Sequence, residues 1–200
     1  MPPRPRTAAQ LADRRQSILR EARALAADAG WAAVTMRAVA ARVGLNPPAL
    51  YEQFAGGKAN LLAAVAVEGF GELADVLEQA ATDQDEPLLA IAEAYWRFAR
   101  DEPALYELMF HHRLEFVFAT DDTPPQVRRG FAALRQAIAS RIRGGEHDVE
   151  LVTEEWWASL HGVVSLALSH RVRPGIEHAR LLVRTVTENL IATIDDKESP

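Results

Sequence analysis

Apolar residues recur along the chain at three- and four-residue intervals, with almost no stretch of strict alternation, so the pattern predicts helices nearly throughout. No convincing strand or internal repeat interrupts it. Thr7 and Gln10 have the spacing of a capping box that opens a first helix. Ile18, Ala22, Leu25, Ala26 and Ala29 then mark one inward face, and Gly30 fits the stop. Trp31 and Val34 pack under the following turn. Thr35 caps a short second helix, "MRAVAARV", with Val39 and Val43 facing inward and Gly44 closing it. Further helices are expected from Lys58 to a break near "TDQDEP", over 87–100, and from Pro103 into the low 110s. "FATDDTPP" reads as a loop whose two prolines precede a helix ending at Gly144 and Gly145. The last two helices are expected over Val149 to Val172 and Ile176 to Ile194, separated by "RPG".

The segment "GLNPPALYEQF" carries two prolines where the surroundings are helical. Proline inside a helix costs on the order of 3 kcal/mol. The conflict disappears if Asn46 is the N-cap of a third helix. Pro47 and Pro48 then occupy its first two positions, where backbone N–H groups have no intrahelical acceptor anyway. The residue before a proline avoids the α region, which suits Asn46 as a cap and suits Pro47 less well. A short helix, a turn at Gly44 and a second short helix make a helix-turn-helix. Ala40 allows the two helices to cross closely, and Leu50 and Phe54 anchor the second on the first.

Composition narrows the functional classes. The 200 residues are 48% hydrophobic and 25% charged, as suits a globular chain of one or two small domains. Without cysteine there is no disulfide framework and no thiolate metal site, which fits a reducing cytosol. "MPPRPRTAAQ" lacks the apolar run of a secretory signal, and "GVVSLALSH" is too short to span a bilayer, so a cytoplasmic protein with no membrane partner is expected. The net charge of −6 hides an asymmetry: residues 1–58 hold nine basic and four acidic residues, the remainder 13 and 24. A basic N-terminal quarter on an acidic body points to one end meeting a polyanion.

Residues 18–65 carry Gly30, Thr35, Val39-Ala40, Gly44-Leu45, Leu50-Tyr51, Phe54, Lys58 and Leu61-Leu62 in order. On these positions the segment resembles the DNA-binding domain of the tetracycline-repressor (TetR) family of transcriptional regulators. The resemblance implies an all-α chain of about nine helices: an N-terminal arm and three-helix helix-turn-helix domain over 1–58, then a helical ligand-binding and dimerisation domain over 59–200. It implies a homodimeric, ligand-responsive repressor on a palindromic double-stranded DNA operator, with no cofactor and no enzymatic activity.

Carried to this sequence, the helix from Asn46 to Phe54 is the recognition helix, entering the major groove by its N-terminal end. Tyr51, Thr35 and Lys58 match positions that hold phosphates, and each side chain is a suitable donor. Arg37 can fork onto guanine O6 and N7 or hold a phosphate. Pro47, Pro48 and Ala49 offer apolar surface suited to thymine methyl groups. Gln53 stands where many relatives have histidine, so a contact there comes from a neutral amide. Glu52 either accepts from cytosine N4 or faces solvent. Arg4 and Arg6 form an arm that can reach the minor groove.

For the second domain, the resemblance implies a pocket for a mostly apolar small molecule. Its lining draws on Trp96, Phe98, Tyr106, Met109, Phe110, Phe116, Trp156 and His161. Ordinary core packing is the alternative role for each. The run Trp157, His161, Gly162 also resembles the C-terminal domain of one subgroup. A small-residue stripe (Ala158, Gly162, Ser165, Ser169) and an apolar face (Val183, Val186, Leu190, Ile194) equip the last two helices to pair across a two-fold axis. Two other readings stand beside this one: a metal-dependent enzyme using His111 and Glu115, one helical turn apart, and a helical dimeric adaptor without DNA binding.

Overall fold

The computed structural model describes residues 7–82, 85–114, 116, 120–142 and 148–197. Arg4, Arg6, Glu115, Gly144 and Gly145 lie outside the described residues. The described residues form nine α-helices and no strand: α1 (Ala8–Ala29), α2 (Met36–Arg42), α3 (Pro47–Gln53), α4 (Lys58–Ala80), α5 (Pro87–Asp101), α6 (Pro103–His111), α7 (Pro125–Arg141), α8 (Val149–Leu168) and α9 (Ile176–Lys197). The all-α class expected from the periodicity is the one found.

The chain divides into two compact units. The first comprises Met1–Gly69 and Ala104–Val117, the second Phe70–Pro103 and Phe118–Pro200. In the first unit, the Thr7 hydroxyl accepts from Gln10 N while the Gln10 side chain accepts from Thr7 N at 3.0 Å, completing the capping box. Ile18, Ala22 and Ala26 are buried as expected, joined by Leu19, whereas Ala29 is exposed in the last turn. Gly30 ends α1 with φ 76, a conformation that side chains disfavour. Later in this unit, a Cβ on Gly69 would lie 2.8 Å from Leu105 Cδ1 and 2.9 Å from Met109 Sδ. The missing side chain is what lets α6 approach α4 there.

The second unit buries Leu77, Leu88, Ile91, Tyr95, Trp96, Ile138, Trp156, Leu160 and Val183. Its buried polar residues are threonines, Thr123, Thr153 and Thr187, each hydrogen-bonded to nearby backbone. Charges stay at the surface, where Arg129 bridges Glu78 and Asp75 and Arg141 forks onto Asp195.

Several helix ends differ from the sequence expectation, and α9 runs to Lys197, three residues past Ile194. Val43 is the C-cap of α2, not its last residue, because the chain already reverses at Gly44. α8 stops at Leu168, four residues before Val172. There His170 takes φ 56, and Arg171 N reaches back to Leu166 O at 2.8 Å. Histidine is among the few non-glycine residues enriched in this left-handed region, so the stop carried no glycine to announce it.

Candidate nucleic-acid interface

The short helices α2 and α3 are built from caps. Thr35 Oγ1 accepts from Ala38 N at 3.1 Å and Asn46 Oδ1 from Ala49 N at 3.0 Å. Between them Gly44 holds φ 66, and Leu45 N closes onto Ala40 O at 2.8 Å, using a carbonyl that the helix end would leave unpaired. Ala40, Leu50 and Phe54 are buried, so α3 is held by its inner face. The double proline therefore starts a helix.

This arrangement decides what the tip of α3 can offer. Pro47 and Pro48 have no N–H, and the Ala49 N–H is taken by the Asn46 cap. An anion arriving at the tip finds none of the first three amides of the helix free. Pro47 and Pro48 are exposed and Ala49 half-buried, leaving an apolar surface. One face further round, Tyr51 is 49% exposed, which leaves its hydroxyl open to a partner. Glu52 is exposed and Gln53 half-buried.

The other sequence-predicted donors lie at the starts of α2 and α4. Thr35 is exposed and, although its oxygen accepts within the cap, its hydroxyl hydrogen is still available. Arg37 is exposed. Lys58 is half-buried and its Nζ donates to Trp31 O at 2.9 Å, leaving two of its three hydrogens. Trp31 is itself fixed, its Nε1 donating to Ala104 O at 2.7 Å.

Three features escaped the sequence. Arg15 of α1 lies with its guanidinium carbon 4.6 Å from the Phe54 ring centroid and its Nη1 3.5 Å from Gln53 O, a cation over the C-terminal end of α3. No local pattern signals a contact across 38 residues. Gly57, in the "AGGKAN" segment, has φ 66, and a Cβ there would lie 3.2 Å from Tyr51 Cε1. The Gly56-Gly57 doublet was its available signal. Arg42 pairs with Asp28 at 2.8 Å, so this one of the basic residues is neutralised within the chain.

The residues expected to line a pocket fall into both compact units. Tyr106, Met109, Phe110 and Phe116 belong to the first, and Trp96, Trp156 and His161 to the second. Tyr106 and Met109 are buried, with the Tyr106 and Phe110 rings 4.7 Å apart, while Phe110 and Phe116 are half-buried. In the second unit, Trp156 Nε1 donates to Thr187 Oγ1 at 3.1 Å. His161 is half-buried, its Nδ1 3.4 Å from the Tyr95 hydroxyl and its Nε2 3.3 Å from that of Ser165. His111 is exposed, and no group of three or more His, Asp or Glu able to hold a metal occurs among the described residues.

Residues 18–65 match the family described as bacterial regulatory proteins of the tetR family, and residues 88–189 match the tetracyclin repressor-like C-terminal domain. The chain belongs to the TetR family. As a member it is a DNA-binding transcriptional regulator, and membership points away from an enzyme. An uncharacterized helix-turn-helix transcriptional regulator of Mycobacterium tuberculosis is 26% identical over 157 residues, 78% of this chain and 70% of that protein. Among solved structures, the putative regulatory protein SCO4313 is 25% identical with a TM-score of 0.75, covering 94% of this chain and 100% of its own. The TetR regulator PfmR from Thermus thermophilus shares the fold at 22% identity and TM-score 0.59, covering 88% and 97% of the two chains. No helix of this TetR protein is long and apolar enough, among the described residues, to cross a membrane.

Proposed function

We propose that this TetR protein is a ligand-responsive repressor that binds a palindromic operator as a homodimer, with residues 1–58 meeting DNA and 59–200 serving ligand and dimer. The observation that carries the DNA reading is the capped, proline-started α3, buried through Leu50 and Phe54 and exposed at Pro47, Pro48 and Tyr51. Pro47, Pro48 and Ala49 meet thymine methyls, with Asn46 and Gln53 at the two ends of the contact surface. Thr35, Tyr51 and Lys58 hold phosphates, and Arg37 reads guanine or a phosphate.

Dimerisation through α8 and α9 is supported by surface that one chain leaves uncovered. Gly162 sits mid-helix in α8 with nothing within 4 Å of where its Cβ would be. Glycine there costs about 1 kcal/mol relative to alanine and has no reason within the chain. Ala158 and Leu166 beside it are exposed, as is Leu181 of α9. A second chain laid on this stripe supplies the missing reason. A small molecule then acts by preferring one of two conformations of the dimer, and a 100-fold change in operator affinity needs about 2.7 kcal/mol of differential binding.

Selection of bound sequences from a random duplex pool tests the DNA reading. Recovered sequences are expected to share an inverted repeat whose half-sites are separated by about one helical turn, roughly 34 Å, or a related spacing. An unstructured pool after several rounds at low ionic strength refutes it. Screening the selected duplex for release by a metabolite panel tests the ligand reading.

A further inference from the structure

By its own residues, α3 brings the wrong sign of charge to a duplex. Its seven residues hold one carboxylate, Glu52, and no cation. The C-terminal end of a helix adds partial negative charge of its own. At the other end Pro47 and Pro48 have no amide hydrogen to give, and the Ala49 N–H is taken by the cap. A helix so composed repels phosphates unless a cation from another element accompanies it.

Arg15 is placed to be that cation. It lies on α1, one turn before the buried Ile18 and Leu19, and is itself exposed. Its guanidinium carbon is 4.6 Å from the Phe54 ring centroid, and its Nη1 is 3.5 Å from Gln53 O. These two contacts hold the charge against the C-terminal end of α3. No carboxylate of the described residues pairs with it. Arg42 of the same unit is neutralised by Asp28, and in the second unit Arg129, Arg141 and Arg180 each meet a carboxylate. A guanidinium is a planar fork of several N–H donors, so one bond to Gln53 O leaves others for a second acceptor.

The depth of the groove fixes where this fork stands. At 1.5 Å per residue, the seven residues of α3 span about 10 Å. The major groove is about 8.5 Å deep. A helix that enters tip first therefore has its C-terminal end level with the rim, where the phosphates run. Resting on the proposal that α3 reads the operator, we infer that Arg15 is a further DNA-binding residue, donating to a backbone phosphate at the rim while it stays seated on Phe54 and Gln53 O. The contact carries no base sequence; it sets how far α3 is inserted.

The test titrates the selected duplex over a salt series with the full-length natural protein, Arg15→Gln, Arg15→Lys and Arg42→Gln. The last removes the same charge from the same unit and controls for net charge. Arg15→Gln should bind roughly ten-fold more weakly or worse. It should also flatten the slope of log K against log salt by about 0.9 for each half-site. Arg15→Lys should keep the slope, and Arg42→Gln should change it far less than Arg15→Gln does. A second series replaces one phosphate per half-site by a neutral methylphosphonate, moved stepwise along each strand. One position should weaken the natural protein and be silent in Arg15→Gln.

An unchanged slope in Arg15→Gln, an equal flattening in Arg42→Gln, or methylphosphonate losses identical in both proteins would each overturn the assignment. A lower thermal midpoint with the natural slope would likewise overturn it, because Arg15 would then only secure α3. Failure of the natural protein to bind any duplex at low ionic strength would overturn the DNA reading itself, a distinct result.

Discussion

Gly57 offers the sharpest test of how this fold presents its DNA contacts. Gly57→Ala adds one methyl group at φ 66, with the new Cβ 3.2 Å from Tyr51 Cε1. A side chain in the left-handed region costs roughly 1–2 kcal/mol. The backbone has little freedom to escape, since Gly57 N donates to Phe54 O at 2.8 Å and Gly57 O accepts from Leu61 N at 3.1 Å. The Tyr51 ring must therefore give by a few tenths of an ångström. If Tyr51 donates to a phosphate, that bond to a charged acceptor is worth about 1.5–3 kcal/mol, or ten- to a hundred-fold in affinity, so its partial loss should weaken binding about ten-fold. The assay is a double-mutant cycle on the selected duplex by fluorescence anisotropy, with Gly57→Ala, Tyr51→Phe and both together. The second substitution should abolish most of the effect of the first. Gly57→Asn separates strain from displacement, because asparagine tolerates φ near 60° and still carries a Cβ. It should weaken binding like alanine while unfolding closer to the natural protein. Additive losses in the cycle would refute the reasoning, because Gly57 would then act through its loop and not through Tyr51.

Pro48→Ala restores one N–H at the tip of α3 and removes apolar surface. It should alter which duplexes are selected more than it alters the salt dependence of binding. Lys58→Met removes the bond to Trp31 O and one cation. It should cost about 1–3 kcal/mol of unfolding free energy in urea, and reduce the slope of log K against log salt by about 0.9 if the ammonium also neutralises a phosphate. Gly162→Ala should leave a dilute monomer about 1 kcal/mol more stable yet weaken dimerisation, as read by sedimentation over a concentration series. The hydrogen bond from Arg141 holds the Asp195 carboxyl below its ordinary value of 3.8, against the opposing effect of burial. The stability from that pair is present above pH 3.8 and lost as pH falls through the depressed folded value. The urea midpoints of the natural protein and Asp195→Asn should accordingly converge as the pH is lowered below 3.8.

Local chemistry explains what the sequence disclosed. The capping box at Thr7, the caps at Thr35 and Asn46, and the double proline at the start of α3 each act within about four residues, and each is where the pattern put it. What escaped depends on contacts between distant segments or on conformations without their usual residue. Arg15 meets Phe54 and Gln53 across the interhelical gap, and Lys58 meets a main-chain oxygen, which has no signature in a list of side chains. His170 ends α8 in a conformation usually marked by glycine. For α9 the apolar positions were visible but their use was not: Val183 and Ile194 are buried in the chain's own core, whereas Val186 and Leu190 are only half-buried. Periodicity identifies a face without saying whether the same chain or a second copy covers it.

The prolines also explain why so many intramolecular contacts converge on the candidate interface. A helix tip with free amides can hold a phosphate by backbone alone, which tolerates side-chain changes nearby. Here Pro47 and Pro48 have no amide hydrogen and Asn46 occupies the next one. On the proposed reading, anchoring passes to side chains whose positions are set by other parts of the first unit: Thr35 by its own cap, Tyr51 by Gly57, and Lys58 by the Trp31 carbonyl. Trp31 in turn is fixed by Ala104 O at the start of α6. A change at Trp31 should therefore reach the DNA affinity through Lys58 without touching a nucleotide. Trp31→Phe keeps an aromatic ring but removes the bond to Ala104 O together with part of a buried indole. It should lower duplex affinity in the natural protein and have little further effect once Lys58 is methionine. Equal losses in both backgrounds would mean that Trp31 supports the fold alone and that the interface does not depend on this chain of contacts.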